Sequence, residues 1–359
     1  MPAAIARVLQ RHWWRPRLTP LTALLAPLAC VVGAVAARRR ASAHAQALPV
    51  PVPVIVVGNV IVGGAGKTPT VIALVALLRR WGYAPGIVSR GHGRADAGAL
   101  LLDATTPRDA ATPAAFGDEP LLMHRRTGAP VAVARRRREA ALALLAAHSE
   151  VDVIVADDGL QHHALARDIE LVVFDDRGMG NGWPLPAGPL RERASAIWPA
   201  GAQAVPRFIL VNGRWPAAPA RPLPAPRARC FEASRGLGGA LSLADWSRGD
   251  AASRETLAAL RGRPLLAAAG IGDPERFFAM LEAEGLSIAR LPLADHAAFD
   301  TLPWPAGTPD VIVTEKDAVK LVRHAPGPTR IWVATLDFGL PDDLARALRD
   351  ALPRRATSA

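Results

Sequence analysis

Residues 53–70, PVIVVGNVIVGGAGKTPT, decide the fold. The Val and Ile run after Pro53 reads as a buried strand of a parallel sheet, and VIALVALLRR, which follows Thr70, has helical spacing. Strand, glycine-rich turn, Lys-Thr and helix is the order that cradles phosphate. The backbone N–H groups of Gly63, Gly64, Ala65 and Gly66 can face an anion at a helix N-terminus, Lys67 can reach β- and γ-phosphates, and Thr68 can offer a hydroxyl to Mg²⁺. The full pattern G-x-x-x-x-G-K-[ST] wants Gly at position 61, where this chain has Ile61. The competing reading is a left-handed turn with an incidental lysine. Lysine usage argues for the cradle: of 43 basic residues only Lys67, Lys316 and Lys320 are lysines. A Lys kept at 67 marks a place where a compact ammonium fits and a planar guanidinium does not.

Working outward, residues 86–89 (GIVS) read as a second strand, with Ser89, Arg90 and His92 at its carboxyl end. There they share the edge where open α/β sheets bind ligands, or they form a surface turn. In FGDEPLLMHRR a helix opens at Gly117, Asp118 and Glu119. Acidic residues in a first helical turn serve as caps and dipole partners, or mount a carboxylate beside a phosphate loop. Four consecutive arginines, Arg135 to Arg138, cannot all face one ligand on a helix, so one or two are available to an anion. In VDVIVADDGLQHH the strand Val151 to Ala156 delivers Asp157 and Asp158 in the Walker-B arrangement, a carboxylate holding Mg²⁺ opposite Thr68. Gln161, His162 and His163 extend that edge. A further strand ends at Asp175 and Asp176, and a Gly/Pro-rich loop of functional character follows, closed by Arg191 and Glu192.

From Ala204 the pattern restarts with RFILVNG and a Pro/Ala/Arg-rich connector, residues 216–229, before strands and helices alternate to the end. The expected division is an N-terminal segment (1–46), a P-loop core (47–204) and a C-terminal α/β domain (205–359). Asp295 and His296 stand out as a polar pair after a strand. TEKDAVK carries its lysine one place too late for a guanine-reading box, so it gives no GTP selectivity.

The composition, 50% hydrophobic and 21% charged, is that of a globular chain, and 359 residues suit two ordinary domains. A net charge of +11 permits nucleic-acid binding, yet aromatics are 5% and no zinc-finger, RNA-recognition or helix-turn-helix pattern is present. An anionic lipid surface or substrate explains the charge as well. Cys30 and Cys230, far apart, indicate neither a disulfide framework nor a zinc site. Leu18 to Ala37 is an uncharged run of the length that spans a hydrocarbon core, preceded by Trp13 and Trp14 and flanked by arginines on both sides. Pro20 and Pro27 weaken it as a spanning helix. The expectation is a membrane anchor or interfacial helix, with a buried core helix as the alternative. An anchored nucleotide-binding domain belongs on the cytoplasmic side, where ATP is.

GNVIVGGAGKTP, VSRGHG, GDEPLL, DDGLQHH, LPAGPLRE, AGIGDPERFF, ADH and TEKDAVK, in that order between residues 58 and 320, resemble the tetraacyldisaccharide 4′-kinase family, the lipid A kinases of outer-membrane-bearing bacteria. The resemblance implies an α/β protein: a P-loop NTPase-like parallel sheet domain, a second smaller α/β domain and an N-terminal membrane-associated helix. It implies transfer of the ATP γ-phosphoryl to the 4′-hydroxyl of a tetraacyldisaccharide 1-phosphate, giving lipid IVA at the cytoplasmic face of the inner membrane. ATP and Mg²⁺ are the expected cofactors. The lipid A disaccharide and the inner-membrane surface are the expected partners, with no nucleic acid and no obligate protein partner. Carried over by motif, Lys67 and Thr68 are phosphate and Mg²⁺ ligands, and Asp157 and Asp158 complete the metal side. Asp118 is the base, paired with His296. Ser89, Arg90, Arg137, Gln161, His162, Arg191 and Glu192 line the site. The chain departs from the family's pattern at His92, where Tyr is usual, and at Ala65, where Thr is usual. The alternatives are a P-loop ATPase of the partitioning or metal-insertion type, which carries an extra lysine where this chain has Val62, and a nucleotide-dependent membrane scaffold without phosphorylated product.

Overall fold

The computed structural model describes residues 3–45, 47–91, 98–107, 111–198, 205–215, 226, 229–295, 297, 299, 301–324 and 327–353. The chain starts with three helices, α1 (Ala3–Trp13), α2 (Pro20–Leu24) and α3 (Ala26–Ala45). The apolar run read as one spanning helix is therefore two. Thr19 caps α2 through a reciprocal box with Thr22, and Pro20 and Pro27 each sit in a first helical turn, where a missing N–H costs nothing. The longer of the two, α3, carries Arg38, Arg39 and Arg40. Among the described residues no helix is long and apolar enough to cross a membrane, which corrects the spanning expectation.

The rest alternates strands and helices: β1 (Val54–Gly58), α4 (Lys67–Arg80), β2 (Pro85–Ser89), β3 (Leu100–Leu102), α5 (Pro113–Phe116), α6 (Asp118–Thr127), β4 (Val131–Val133), α7 (Arg137–Ala147), β5 (Val153–Asp157), β6 (Ile169–Asp175), α8 (Ala194–Ile197) and β7 (Arg207–Asn212). Then come β8 (Cys230–Ser242), α9 (Leu243–Arg248), α10 (Arg254–Ala259), β9 (Leu265–Ala269), α11 (Pro274–Ala283), β10 (Ile288–Pro292), β11 (Asp310–Thr314), α12 (Glu315–Leu321), β12 (Arg330–Gly339) and α13 (Asp342–Ala351). The strands lie in the order β10-β9-β11-β12-β8-β7-β6-β1-β5-β2-β4-β3. β1, β2, β5, β6 and β7 are buried at every position, as strands covered on both faces must be.

The register of β8 sets the architecture. Its first residues pair in parallel with the carboxyl end of β7 (Asn212↔Ala233). The next residues pair antiparallel with the carboxyl end of β12 (Gly339↔Ser234). Two parallel groups, β7-β6-β1-β5-β2-β4 and β12-β11-β9-β10, thus point their carboxyl edges at each other across β8. In such sheets ligands bind outside the carboxyl ends, so both groups contribute to one crevice. A second, smaller apolar cluster, built on Leu257, Leu265, Phe277, Phe278 and Leu281, supports the β9 side.

Candidate active site

The loop after β1 is folded by the side chain that follows the strand. Asn59 is fully buried, and its amide donates to the carbonyls of Ile61 (2.8 Å) and Gly63 (3.1 Å). Its Oδ1 accepts from Lys67 Nζ at 3.2 Å, so the ammonium is held at the cradle's mouth by a weak neutral partner. Asp158 lies 3.6 Å from the same ammonium. Gly66 caps α4 at φ 90, and a Cβ there would run into the Asn212 amide at the end of β7. Glycine is required on both counts. Ile61 is buried and bridges to Leu190: the pattern's first glycine is replaced by a side chain that packs the loop onto LPAGPLRE.

On the neighbouring strand, β5 ends at Asp157, with Asp158 in a left-handed turn at φ 47. Ser89, at the end of β2, donates to Asp157 Oδ2 at 2.9 Å, while Asp157 Oδ1 is buried with no hydrogen-bond partner among the described residues. Burial first, then Glu119 and Asp158, push the Asp157 carboxyl well above the usual range. Burial alone would also raise Asp158, but Lys67, Arg191 and Arg137 outweigh it and hold that carboxyl low. Of the four arginines, Arg137 is the one turned inward: it is 3% exposed and donates to the Asp157 carbonyl at 3.1 Å. Arg191 donates to Asp158 at 3.2 Å, and Gln161 donates to Glu192 at 3.2 Å. Burial, Arg137 and Arg90 pull the His162 imidazole down to about 4. Arg90 is exposed beyond β2.

Packed on α4, α6 is entered through Gly117 at φ 92, which leaves Asp118 buried in the first turn. Asp118 Oδ1 accepts the Glu119 N–H at 2.9 Å. Lys316, at the start of α12, reaches Glu119 (3.0 Å), Asp295 (3.4 Å) and Asp118 (3.9 Å). Burial would lower its pKa, but these carboxylates override that and hold it above the ordinary amine range. The β9–α11 turn comes close to the glycine loop: a Cβ on Gly272 would lie 2.8 Å from Gly64 N. His296, expected beside Asp118, and His92 lie outside the described residues.

One cavity of about 570 Å³ joins these parts. Gly63 to Thr68, Asp158, Arg191 and Glu119 line it from elements of the first parallel group, and Asp295 and Lys316 from the second. Glu192 is directed elsewhere, accepting from Arg40 of α3 at 3.2 Å. The N-terminal segment is also tied to the loop after β6. Trp13 Nε1 donates to the Pro186 carbonyl at 2.9 Å. The Arg177 guanidinium stacks on Trp14 at 4.3 Å and donates to the Gly64 carbonyl at 3.4 Å.

Asn59, Asn212, Arg177 and Lys316 were not singled out as site residues from sequence. Only Lys316 had a signal, as one of three lysines in an arginine-rich chain. The donors fit a magnesium ion. Thr68 lines the cavity, and Asp157 has a buried oxygen with no hydrogen-bond partner among the described residues. Among the described residues no group of three or more His, Cys, Asp or Glu could hold a metal. Mg²⁺ bound through one or two carboxylates, water and substrate phosphates needs none.

A family model described as LpxK, tetraacyldisaccharide-1-P 4′-kinase, matches residues 21–353. The chain is 52% identical over 365 residues to the tetraacyldisaccharide 4′-kinase of Methylibium petroleiphilum, covering 98% of this chain and 96% of that protein. It is 50% identical over 339 residues to the tetraacyldisaccharide 4′-kinase of Leptothrix cholodnii, covering 92% of each. The crystal structure of LpxK from Aquifex aeolicus in complex with ATP has the same fold, with a TM-score of 0.71 at 23% identity over 93% of this chain and 100% of that one.

Proposed function

The chain belongs to the tetraacyldisaccharide 4′-kinase family, and on that premise we propose which of its residues carry the family's reaction. The activity is ATP-dependent phosphorylation of tetraacyldisaccharide 1-phosphate in lipid A biosynthesis. The observation that carries the residue assignment is the single cavity lined both by a phosphate loop and by Glu119, Asp295 and Lys316, next to buried Asp118.

The N–H groups of residues 63–66 and Lys67 take the β- and γ-phosphates of ATP, Lys67 exchanging Asn59 and Asp158 for phosphate oxygen. Thr68, Asp157 and Asp158 hold Mg²⁺. When bound, Mg²⁺ neutralises charge on the phosphate oxygens. Asp118, partnered by His296, removes the proton of the 4′-hydroxyl; the sugar oxygen bonds to the γ-phosphorus, and the bond to the β-phosphate oxygen breaks, releasing ADP. The first parallel group, with β7 and its Asn212, supplies the cradle, and the second group, β9 to β12, closes over it and excludes water.

The N-terminal helices lie on the cytoplasmic face of the inner membrane. Support comes from an exposed apolar stripe, Leu24 (79% exposed), Leu28 (53%) and Val31 (59%), followed by exposed Arg38 and Arg39. Replacing those three apolar residues by Ser is expected to release the protein from anionic vesicles; undiminished sedimentation would place lipid contact elsewhere.

The function is tested by giving membranes that contain the protein labelled ATP and tetraacyldisaccharide 1-phosphate. Label is expected in the lipid. ATP consumption with no labelled lipid would overturn the kinase reading.

A further inference from the structure

Lys316 has no role in the phosphate cradle, yet three carboxylates surround its ammonium. Its side chain is 15% exposed, with carboxylate oxygens of Glu119, Asp295 and Asp118 at 3.0, 3.4 and 3.9 Å. Those carboxylates come from opposite sides of the crevice. Asp118 and Glu119 open α6, beside the first parallel group, and Asp295 follows β10 in the second.

The backbone that carries Lys316 is held on both flanks. Glu315 accepts from Arg126 of α6, from the Trp246 indole (3.3 Å) and from the Leu336 N–H (3.3 Å). Asp317, fully buried, accepts from the Gly270 N–H (3.0 Å) and the Thr314 hydroxyl (2.7 Å). The ammonium is thus delivered to a fixed point. Three carboxylates gathered there without it would repel one another strongly at low dielectric, and one cation at their centre reverses the sign.

We propose that Lys316 is a positioning residue for phosphoryl transfer, its ammonium holding Asp118 of α6, beside the first parallel group, and Asp295, after β10 of the second, in one constellation. This rests on the reading of Asp118 as the base. It differs from a fold-stabilising ion pair in what it affects: the acceptor side loses its alignment while the glycine loop, folded by Asn59 and Asn212, keeps its own.

The test uses the full chain with Lys316→Met and Lys316→Gln, the Gln variant keeping a polar group in the cluster should Met prevent folding. The readouts are kcat, KM for ATP and affinity for a non-hydrolysable ATP analogue. A fall in kcat of about 100-fold or more, the cost of misplacing a reacting group by an ångström, is expected with ATP-analogue affinity within about threefold of the parent. Unchanged kcat in a folded variant overturns the inference. So does a parallel loss of analogue affinity and kcat, which marks general loosening. Asp118→Asn, assayed alongside, separates the two claims. Retained transfer by Asp118→Asn removes Asp118 as base whatever Lys316 does, whereas an inactive Asp118→Asn beside a fully active Lys316→Gln removes the positioning role alone.

Discussion

The phosphate cradle and the carboxylate cluster face each other across one cavity but are built in opposite ways. The cradle is local. Asn59 folds the carbonyls of Ile61 and Gly63 and steadies Lys67, all within nine residues, and Asn212, Leu190 and Arg177 prop the loop from outside. The cluster is assembled from Asp118, Glu119, Asp295 and Lys316, and it exists only because β8 turns the carboxyl edges of two parallel groups toward each other. Local construction protects a function from disturbance elsewhere, whereas construction across two strand groups makes it conditional on how those groups meet. Nucleotide binding and phosphoryl transfer should therefore be separable by mutation.

The largest effect is expected at the cradle's charge. Lys67→Ala should lower transfer by more than about 1,000-fold, the loss expected if, as proposed, the ammonium acts on charge developing at the transferred phosphoryl; a residual rate within tenfold of the parent would break the assignment. Next is Gly66→Ala, which meets both a positive φ and the Asn212 amide. Titration with an ATP analogue should show affinity reduced by about 100-fold or more, roughly the cost of strain plus a clash. Unaltered affinity would mean the loop is not held by Asn212. Asn59→Ala should raise KM for ATP by about tenfold, as expected for losing a buried hydrogen-bonding side chain, with thermal stability lowered modestly.

The smallest effect concerns pH. The folded His162 titrates near 4 against an ordinary 6.5, so below 6.5 the unfolded chain takes up a proton that the folded one refuses. The stability contribution is complete above pH 6.5 and is lost as pH falls toward 4. Melting of His162→Gln should therefore fall less steeply than the parent across that window, and identical slopes would show that His162 is not held neutral by burial and its arginine neighbours.

Legibility from sequence follows the same division. β1, α4, β5 and β6 were readable because each is a continuous apolar run or a periodic helix ending at a chemically marked residue: Lys67 at one helix start, Asp157 and Asp175 at two strand ends. The apolar run at Leu18 to Ala37 was legible as helical but not as two helices, because Thr19-Pro20 and Pro27 start new helices inside it. The restart at RFILVNG marked a strand, but that strand, β7, pairs with β6, a partner that only long-range register reveals. The cluster was the least legible. In isolation Asp118 is a first-turn acid of α6, and Lys316 sits in a box with the wrong spacing for guanine. Their meeting depends on the antiparallel match of β8 with β12, which local pattern does not encode.

The most direct test of this two-part account is made on Asp118→Asn, with ATP-analogue affinity and phosphoryl transfer to tetraacyldisaccharide 1-phosphate measured on one preparation. The account predicts analogue affinity within about threefold of the parent and transfer reduced by more than about 1,000-fold, the loss of an interaction made only in the transition state. Transfer at the parental rate, or loss of nucleotide binding together with transfer, would contradict it.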